Sequence, residues 1–390
     1  MSNNWNVVPF TEAVDICDTF RKPINSSERA SRIKGKEQSE LYPYYGATGQ
    51  VGFIDDYITD GEYVLLGEDG APFLDAFSNK AYIISGKTWV NNHAHVLRSK
   101  TNNKFLCYYL NSFNYKGYVS GTTRLKLTQA EMKRIPVPAP PLSEQERIVS
   151  RIEELFSQLD AGVETLKKTK AQLAVYRQAV LKEAFESVIP ESDTCNVEDV
   201  CKDIKVGIVI KPAQYYTSAD VGVRAFRSAN VREFAVNDSD WVYLTKAGHE
   251  ANLRSEIHTG DVLVVRSGYP GTACVVPPTY NGCNAIDILI AVPYAEKILP
   301  EYLCAYTNSP LGKRIIQEKK RGVAQAHFNV SGYSKTPIIV PCLETQKRVV
   351  AEIDSRLSVC DSIEQTVDAA LQQAEAMRQS ILKNAFEGRL

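Results

Sequence analysis

The sequence predicts an α+β protein built from two α/β modules, each followed by one long helix, in a tandem repeat with a pseudo-twofold relation. Three observations predict it. A 52-residue segment recurs without a gap at an offset of 201, each copy carries apolar residues at coiled-coil spacing, and the stretches between read as short strands broken by glycine turns. A length of 390 residues also suits two domains better than one.

The copies are 136–187 and 337–388, identical at 18 of 52 positions. Among the matches are Gln145/Gln346, Arg147/Arg348, Arg177/Arg378 and the triplets Ala184-Phe185-Glu186 and Ala385-Phe386-Glu387. In the first copy Ile148, Ile152, Leu155, Leu159, Val163, Leu166, Leu173, Tyr176, Val180 and Ala184 form a stripe. Val349, Ile353, Leu357, Cys360, Val367, Leu371, Ala374, Met377, Ile381 and Ala385 repeat it. Prolines 138, 140 and 141 stop a helix from running in from upstream, and Ser143 with Glu144 and Glu146 supplies an N-cap and first-turn acids. About 40 residues at a rise of ~1.5 Å give a rod of roughly 60 Å. Two matched stripes each need a partner, and the simplest partner is the other copy.

The intervening modules echo each other faintly. Asp60–Leu66 resembles Thr259–Val265, Val90–Val96 lines up with Cys283–Leu289, Tyr108–Ser112 with Ala305–Ser309, and Ser120–Arg124 with Arg321–Gln325. The order is therefore module 1–135, helix 136–187, module 188–336, helix 337–390. Well-kept helices beside diverged modules indicate that the modules do different versions of one job.

Composition is that of a soluble globular chain, 44% hydrophobic and 23% charged. The formal net charge is −1, and the modules are balanced, 16 basic against 14 acidic residues in 1–135 and 16 against 16 in 188–336. Charge alone does not point to nucleic acid. The N-terminus lacks the pattern of a signal peptide, and the longest apolar run, near Ile286–Val292, is strand-sized. The nine cysteines are scattered and read as reduced thiols. A cytoplasmic location is expected.

The segment Pro136–Gln145 (PVPAPPLSEQ) resembles the proline-leucine-glutamate-glutamine opening of the conserved helices in specificity subunits of Type I restriction–modification enzymes. Its second copy, Pro337–Gln346, departs at Cys342, Thr345 and Lys347. The paired helix ends 177–186 and 378–387, and the glycine loops 120–125 and 321–326, extend the resemblance along the chain. It implies two target-recognition domains, 1–135 and 188–336, reading an asymmetric, bipartite site on double-stranded DNA. It also implies that the helices pair as an antiparallel coiled coil, set the gap between half-sites and dock two methyltransferase subunits. The chain itself would be non-catalytic and without a cofactor. Those partners would supply S-adenosylmethionine, and motor-nuclease subunits, two if present, would use ATP and Mg.

Candidate DNA contacts follow from loops that carry amides, hydroxyls and cations. In the first module these are Tyr45, Thr48 and Gln50 on a glycine turn, Lys87 and Asn91 from the alternating set Lys87, Trp89, Asn91, His93, and the loop Ser120, Thr122, Thr123, Arg124, Lys126. Tyr44 and Tyr45 also read as core aromatics. In the second they are the basic run Lys319, Lys320, Arg321 with Gln325, the set Arg224, Arg227, Asn230, and the turn Arg266, Tyr269. The basic run also reads as a solvated helix face.

Motifs for catalysis are missing. No phosphate-binding glycine loop occurs, and Val276-Pro277-Pro278-Thr279 lacks the amide and aromatic of an adenine-methyltransferase motif. His93 and His95 share a strand face without a third metal ligand, and Glu68-Asp69 lacks a nuclease lysine. Two other readings of the repeat are a coiled-coil scaffold that binds proteins and a stand-alone DNA-binding regulator.

Overall fold

The computed structural model describes residues 5–321 and 328–390, with the backbone alone at 191 and 319–321. The chain forms two compact units, residues 1–168 with 367–390, and residues 169–366. Both have the same architecture.

In the first unit, one antiparallel sheet has the strand order Val14–Ile16, Ala94–Ser99, Tyr63–Gly67, Ala81–Ile84. A second sheet has the order Gly49–Ile54, Tyr42–Gly46, Lys87–Val90, Thr59–Asp60, and its inner pair is parallel, with Tyr44 opposite Trp89. In the second unit the orders are Cys201–Val206, Ile288–Pro293, Val262–Val265, Ala273–Val275 and Tyr216–Thr217, Val242–Leu244, Val223–Phe226, Asn284–Ala285. There the parallel pair joins the third and fourth strands of the second sheet, Ala225 opposite Asn284, because Tyr216–Thr217 adds a strand at the opposite edge. The duplication thus extends through the modules, strand for strand in the first sheet and around one parallel pair in the second.

The central strand of each first sheet is buried on both faces, which is why it reads as an unbroken apolar run. Alternation sends Val64 and Leu66 into the core under helix Asn103–Ser112, and Tyr63 and Leu65 into the core on the other face. Val262 and Val264 take the side of helix Pro300–Asn308, and Leu263 and Val265 the opposite one. Each helix is fastened to its sheet by one buried amide. Asn111 Oδ1 accepts from Lys80 N and Ala81 N while its Nδ2 donates to Ala81 O (2.8 Å). Asn308 makes the same exchange with Ala273, at 3.0 and 2.8 Å. Both amides also donate to a cysteine four residues earlier, Cys107 and Cys304.

The long helices run Leu142–Glu186 and Leu343–Phe386. Ser143 lies inside the first turn instead of capping it, because the helix starts one residue earlier and Pro141 O already accepts from Glu144 N and Gln145 N. Most of the apolar stripe is buried, but Tyr176 and Met377, which occupy equivalent positions, are exposed. A heptad stripe drifts by ~20° per heptad on a 3.6-residue helix, so positions on its flank reach solvent. Tyr176 there accepts a hydrogen bond from Arg356, whose guanidinium lies over its ring.

Each module is gripped by two helix segments distant in sequence. In the first unit the start of the first long helix (Ile148, Val149, Ile152) and the end of the second (Ile381, Leu382, Ala385) close on Phe105. Phe386 meets the rings of Phe105 and Tyr109 at 5.2 and 5.4 Å. In the second unit Val349 and Ile353 join Val180, Leu181 and Ala184, and Phe185 meets Tyr302 and Tyr306, both at 5.2 Å. The order of contacts is antiparallel within each unit: Arg147 with Leu390 and Arg378 with Asp160 in the first, Arg177 with Asp361 and Arg356 with Glu183 in the second. The repeated glutamine ties helix to module. Gln346 donates to Pro341 O and Lys297 O and accepts from Leu299 N; Gln145 donates to Pro140 O and accepts from Thr101 Oγ1.

A buried polar knot fixes the first unit's strand ends. The His95 ring is fully enclosed, with Nε2 donating to Leu127 O (3.1 Å) and Nδ1 facing Asp18 Oδ2 (2.9 Å). Burial pushes the Asp18 carboxyl up, but hydrogen bonds from His95, Gln129 and the Val96 N–H outweigh it and hold the group below its ordinary value. A depressed carboxyl stabilises the fold above the unfolded pKa and loses that contribution as pH falls through the folded one.

Two outcomes are expected. Phe386→Ala should lower amide protection in 103–112, and Phe185→Ala in 300–308, each costing about 3–5 kcal/mol; hydrogen exchange of full-length variants checks this, and loss in the sequence-adjacent module instead would contradict it. Asp18→Asn should destabilise most at neutral pH, with the gap to wild type shrinking below about pH 4 in denaturant titrations.

Candidate nucleic-acid interface

In the first unit four loops converge at one end of the sheets. The parallel pair Tyr42–Gly46 and Lys87–Val90 ends on the same side, so the turns that follow are neighbours, and Asn91 N donates to Tyr45 O (3.1 Å). The 67–71 loop joins them through Glu68 N to His93 O (2.8 Å). Gly67 is required there, since a Cβ would stand 2.3 Å from Ala71 Cβ and 3.1 Å from Ala47 O. The 120–126 loop is the fourth. Gly70 N donates to Leu125 O and Leu127 N to Glu68 O, both at 2.8 Å, while Ser120 and Lys126 exchange both backbone hydrogen bonds. Gly121 (φ +98°) makes that closure possible, because a Cβ would lie 2.4 Å from Arg124 O.

Charges at this end are arranged in pairs. Arg124 Nε meets Asp69 Oδ1 at 2.8 Å and Lys126 Nζ meets Glu68 Oε1 at 3.6 Å. Behind them Glu68 is paired with Arg21, which also reaches Asp18 at 3.2 Å. An open concavity of about 650 Å³ is lined by Asp69, Gly70, Thr122, Thr123 and Arg124 among others. Hydroxyls, a guanidinium and backbone groups thus face one solvent-filled hollow.

Sequence-derived candidates divide sharply here. Thr48, Gln50, Ser120, Thr122, Thr123, Arg124 and Lys126 are all exposed at this end. Tyr45 is half-buried against the Tyr82 ring at 5.9 Å, supporting the turn. The set Lys87, Trp89, Asn91, His93 is not one exposed face. Trp89 is 2% exposed and donates to Lys22 O, and Asn91 is 9% exposed with Oδ1 accepting from His93 N, because the strand ends at Val90 and the chain turns. Lys87 alone is exposed, with its ammonium 4.7 Å from the Tyr57 ring centre.

In the second unit Arg227, Arg266 and Asp287 follow the corresponding strand ends. Arg266 pairs with Asp287 at 3.2 Å, and the Nε atoms of Arg227 and Arg266 are buried without a partner. Asn230 is corrected: it is 0% exposed, and its amide is occupied by Arg227 N, Asn237 O and Ser239 O, so it shapes a turn. Arg224 lies near the Trp241 and Tyr280 rings (5.5 and 5.9 Å) and stays half-exposed. Tyr269 is 86% exposed and borders a concavity of about 650 Å³ with Arg232, Thr272 and Lys313. The side chains of Lys319, Lys320 and Arg321, and the whole of Gln325, lie outside the described residues.

Sequence reading missed the pairing of Glu68 and Asp69 with the loop cations. The dipeptide was visible, but only the fold sets it opposite Lys126 and Arg124. Among the described residues no group of three His, Cys, Asp or Glu is placed to hold a metal ion, and no helix is long and apolar enough to cross a membrane. His93 faces Asp69, and His95 is enclosed in the knot.

A family model described as the Type I restriction modification DNA specificity domain matches residues 4–174. The chain is 28% identical over 377 residues to the type I restriction enzyme specificity subunit S.HindORF215P of Haemophilus influenzae, covering 94% of this chain and 91% of that one. It is 25% identical to the EcoBI specificity subunit of Escherichia coli, over 92% and 79% of the two chains. A solved chain from work on assembly and conformational transition of the type I R-M system superposes with a TM-score of 0.72 at 16% identity, over all of both chains. The HsdS subunit from Thermoanaerobacter tengcongensis gives 0.53 at 16% identity, over 99% and 97%. Residues 4–174 thus match the Type I DNA specificity domain, and the chain over nearly its whole length is similar to specificity subunits of Type I restriction–modification enzymes, which are non-catalytic DNA-recognition subunits.

Proposed function

We propose that each module reads one half of a split, asymmetric double-stranded DNA site through the loop end described above. The carrying observation is that two modules whose first sheets share one strand order end in loops of different chemistry: Thr48, Gln50 and the 120–126 loop in one, Arg224, Arg227, Arg266 and Tyr269 in the other. One topology with two sets of side chains gives two readers of different sequences. Hydroxyls and amides suit base edges, and the cations suit phosphates. Lys319, Lys320, Arg321 and Gln325 are proposed as phosphate and base contacts on sequence grounds.

On this reading residues 1–135 and 188–336 are the target-recognition domains, and 136–187 and 337–390 are helical spacers. The spacers pair as an antiparallel coiled coil. A helix of 45 residues is roughly 68 Å long, about two turns of duplex, enough to act as a ruler between half-sites. The helix pair docks two modification subunits, which bring S-adenosylmethionine and methylate adenine. Motor-nuclease subunits add ATP- and Mg-dependent cleavage, and the complex works in the cytoplasm. A chain of net charge −1 then binds DNA within a clamp completed by its partners.

Co-expression with the methyltransferase encoded beside it, followed by genome-wide mapping of methylated adenine, should return one motif with two unequal halves and a fixed gap. Methylation at a contiguous palindrome, or none, would overturn the reading. Arg124→Ala with Lys126→Ala should weaken duplex binding about tenfold, with co-purification of the modification subunit unchanged. Inserting a heptad into one long helix should change the gap or abolish folding; a folded protein with an unchanged gap would refute the ruler.

A further inference from the structure

The first module's DNA-facing cations do not stand free. Arg124 and Lys126 project from a loop whose backbone register is fixed by Gly70 N to Leu125 O and Leu127 N to Glu68 O. That register sets Asp69 opposite Arg124 (2.8 Å) and Glu68 opposite Lys126 (3.6 Å). Both cations remain reachable, with side chains 60% and 50% exposed, while the carboxylates behind them are 26% and 15% exposed. The backbone bonds hold the loop in place whether or not the ion pairs are made. In the second module the strand equivalent to Tyr63–Gly67 is followed in sequence by Ser267 and Gly268, where the first has Glu68 and Asp69.

We propose that Asp69, supported by Glu68, is a specificity-determining counter-ion that competes with DNA phosphate for Arg124 and Lys126. The inference rests on the assignment of the 120–126 loop to DNA contact. Any duplex must displace or share the carboxylate to reach the guanidinium, so phosphate contact alone gains little. A duplex whose base edges also satisfy Thr122 and Thr123 recovers that loss. Asp69 therefore suppresses binding to arbitrary sequence, and the first module discriminates more sharply than its number of cations suggests.

The test uses the full chain and a 30-base-pair duplex of arbitrary sequence, with affinity measured by fluorescence anisotropy across a salt series. Asp69→Asn should tighten binding about three- to tenfold near 0.1 M salt and steepen the log–log salt slope by about one, the contribution of one freed cation. Asp69→Ser, a second neutral variant, should do the same. Asp75→Asn removes an equal charge from a residue that accepts from Phe77 N and Ser78 Oγ within its own turn, and should change affinity far less. The gain should vanish in Asp69→Asn/Arg124→Ala. If Asp69→Asn behaves like Asp75→Asn, or its gain survives loss of Arg124, the counter-ion role is wrong although the loop still contacts DNA. If Arg124→Ala and Lys126→Ala alter binding in neither background, the loop assignment itself fails and the counter-ion role falls with it.

Discussion

The structure depends on one packing constraint: the outer face of each module's helix is covered by chain from two distant places. Phe105 and Tyr109 in the first unit, and Tyr302 and Tyr306 in the second, are met by the terminal phenylalanine of a long helix. In the first unit that phenylalanine is Phe386, 281 residues beyond Phe105. Burying two aromatic rings and the aliphatic residues beside them is worth several kcal/mol by area, which is comparable with the net stability of a whole domain. The first module's helix is therefore covered only when the end of the second long helix packs on it.

That constraint explains where the repeat keeps its identities. Gln145 and Gln346 bridge the start of a long helix to the segment that opens the module helix, and each is buried, so replacement would leave backbone groups without partners. Phe185 and Phe386 make the same contact with different modules. Residues that do the same mechanical work twice remain alike. At the opposite end of the sheets the strands stop, and loop side chains such as Thr48, Gln50, Thr122 and Tyr269 reach solvent. Divergence is tolerated there without cost to the frame, which is the property a reader of variable sequence needs.

Much of this was legible in the sequence, and the remainder failed for identifiable reasons. Helical periodicity over more than forty residues marks both rods, since each turn adds to the same signal. The sheets were legible only as isolated strands: several are two to four residues long, and their partners lie far along the chain, 85 residues for Val14 opposite Ser99 and 92 for Cys201 opposite Pro293. Two amide candidates are buried for another reason. Asn91 and Asn230 have the chemistry of base-reading amides, yet each is turned inward to satisfy backbone groups at a strand end. Sequence displays an amide's capacity for hydrogen bonds but not where those bonds go. The exposed loop 120–126 was found because glycine, hydroxyls and cations adjacent in sequence stay adjacent in space.

Charge shows the same distinction between composition and placement. A net charge of −1 argues against DNA only if each acid and base acts through the bulk field. At the first module's loop end the acids lie within 4 Å of the bases, so most of their influence is local. Exposed pairs of this kind contribute little to stability, at most about 1 kcal/mol each. Their larger effect is on a competitor for the same cation, because a phosphate gains only the difference between its own attraction and that of the carboxylate it displaces. Near-neutral composition is thus compatible with DNA recognition. It shifts the requirement from attraction, which every duplex satisfies, to the directional hydrogen bonds that only some sequences can return.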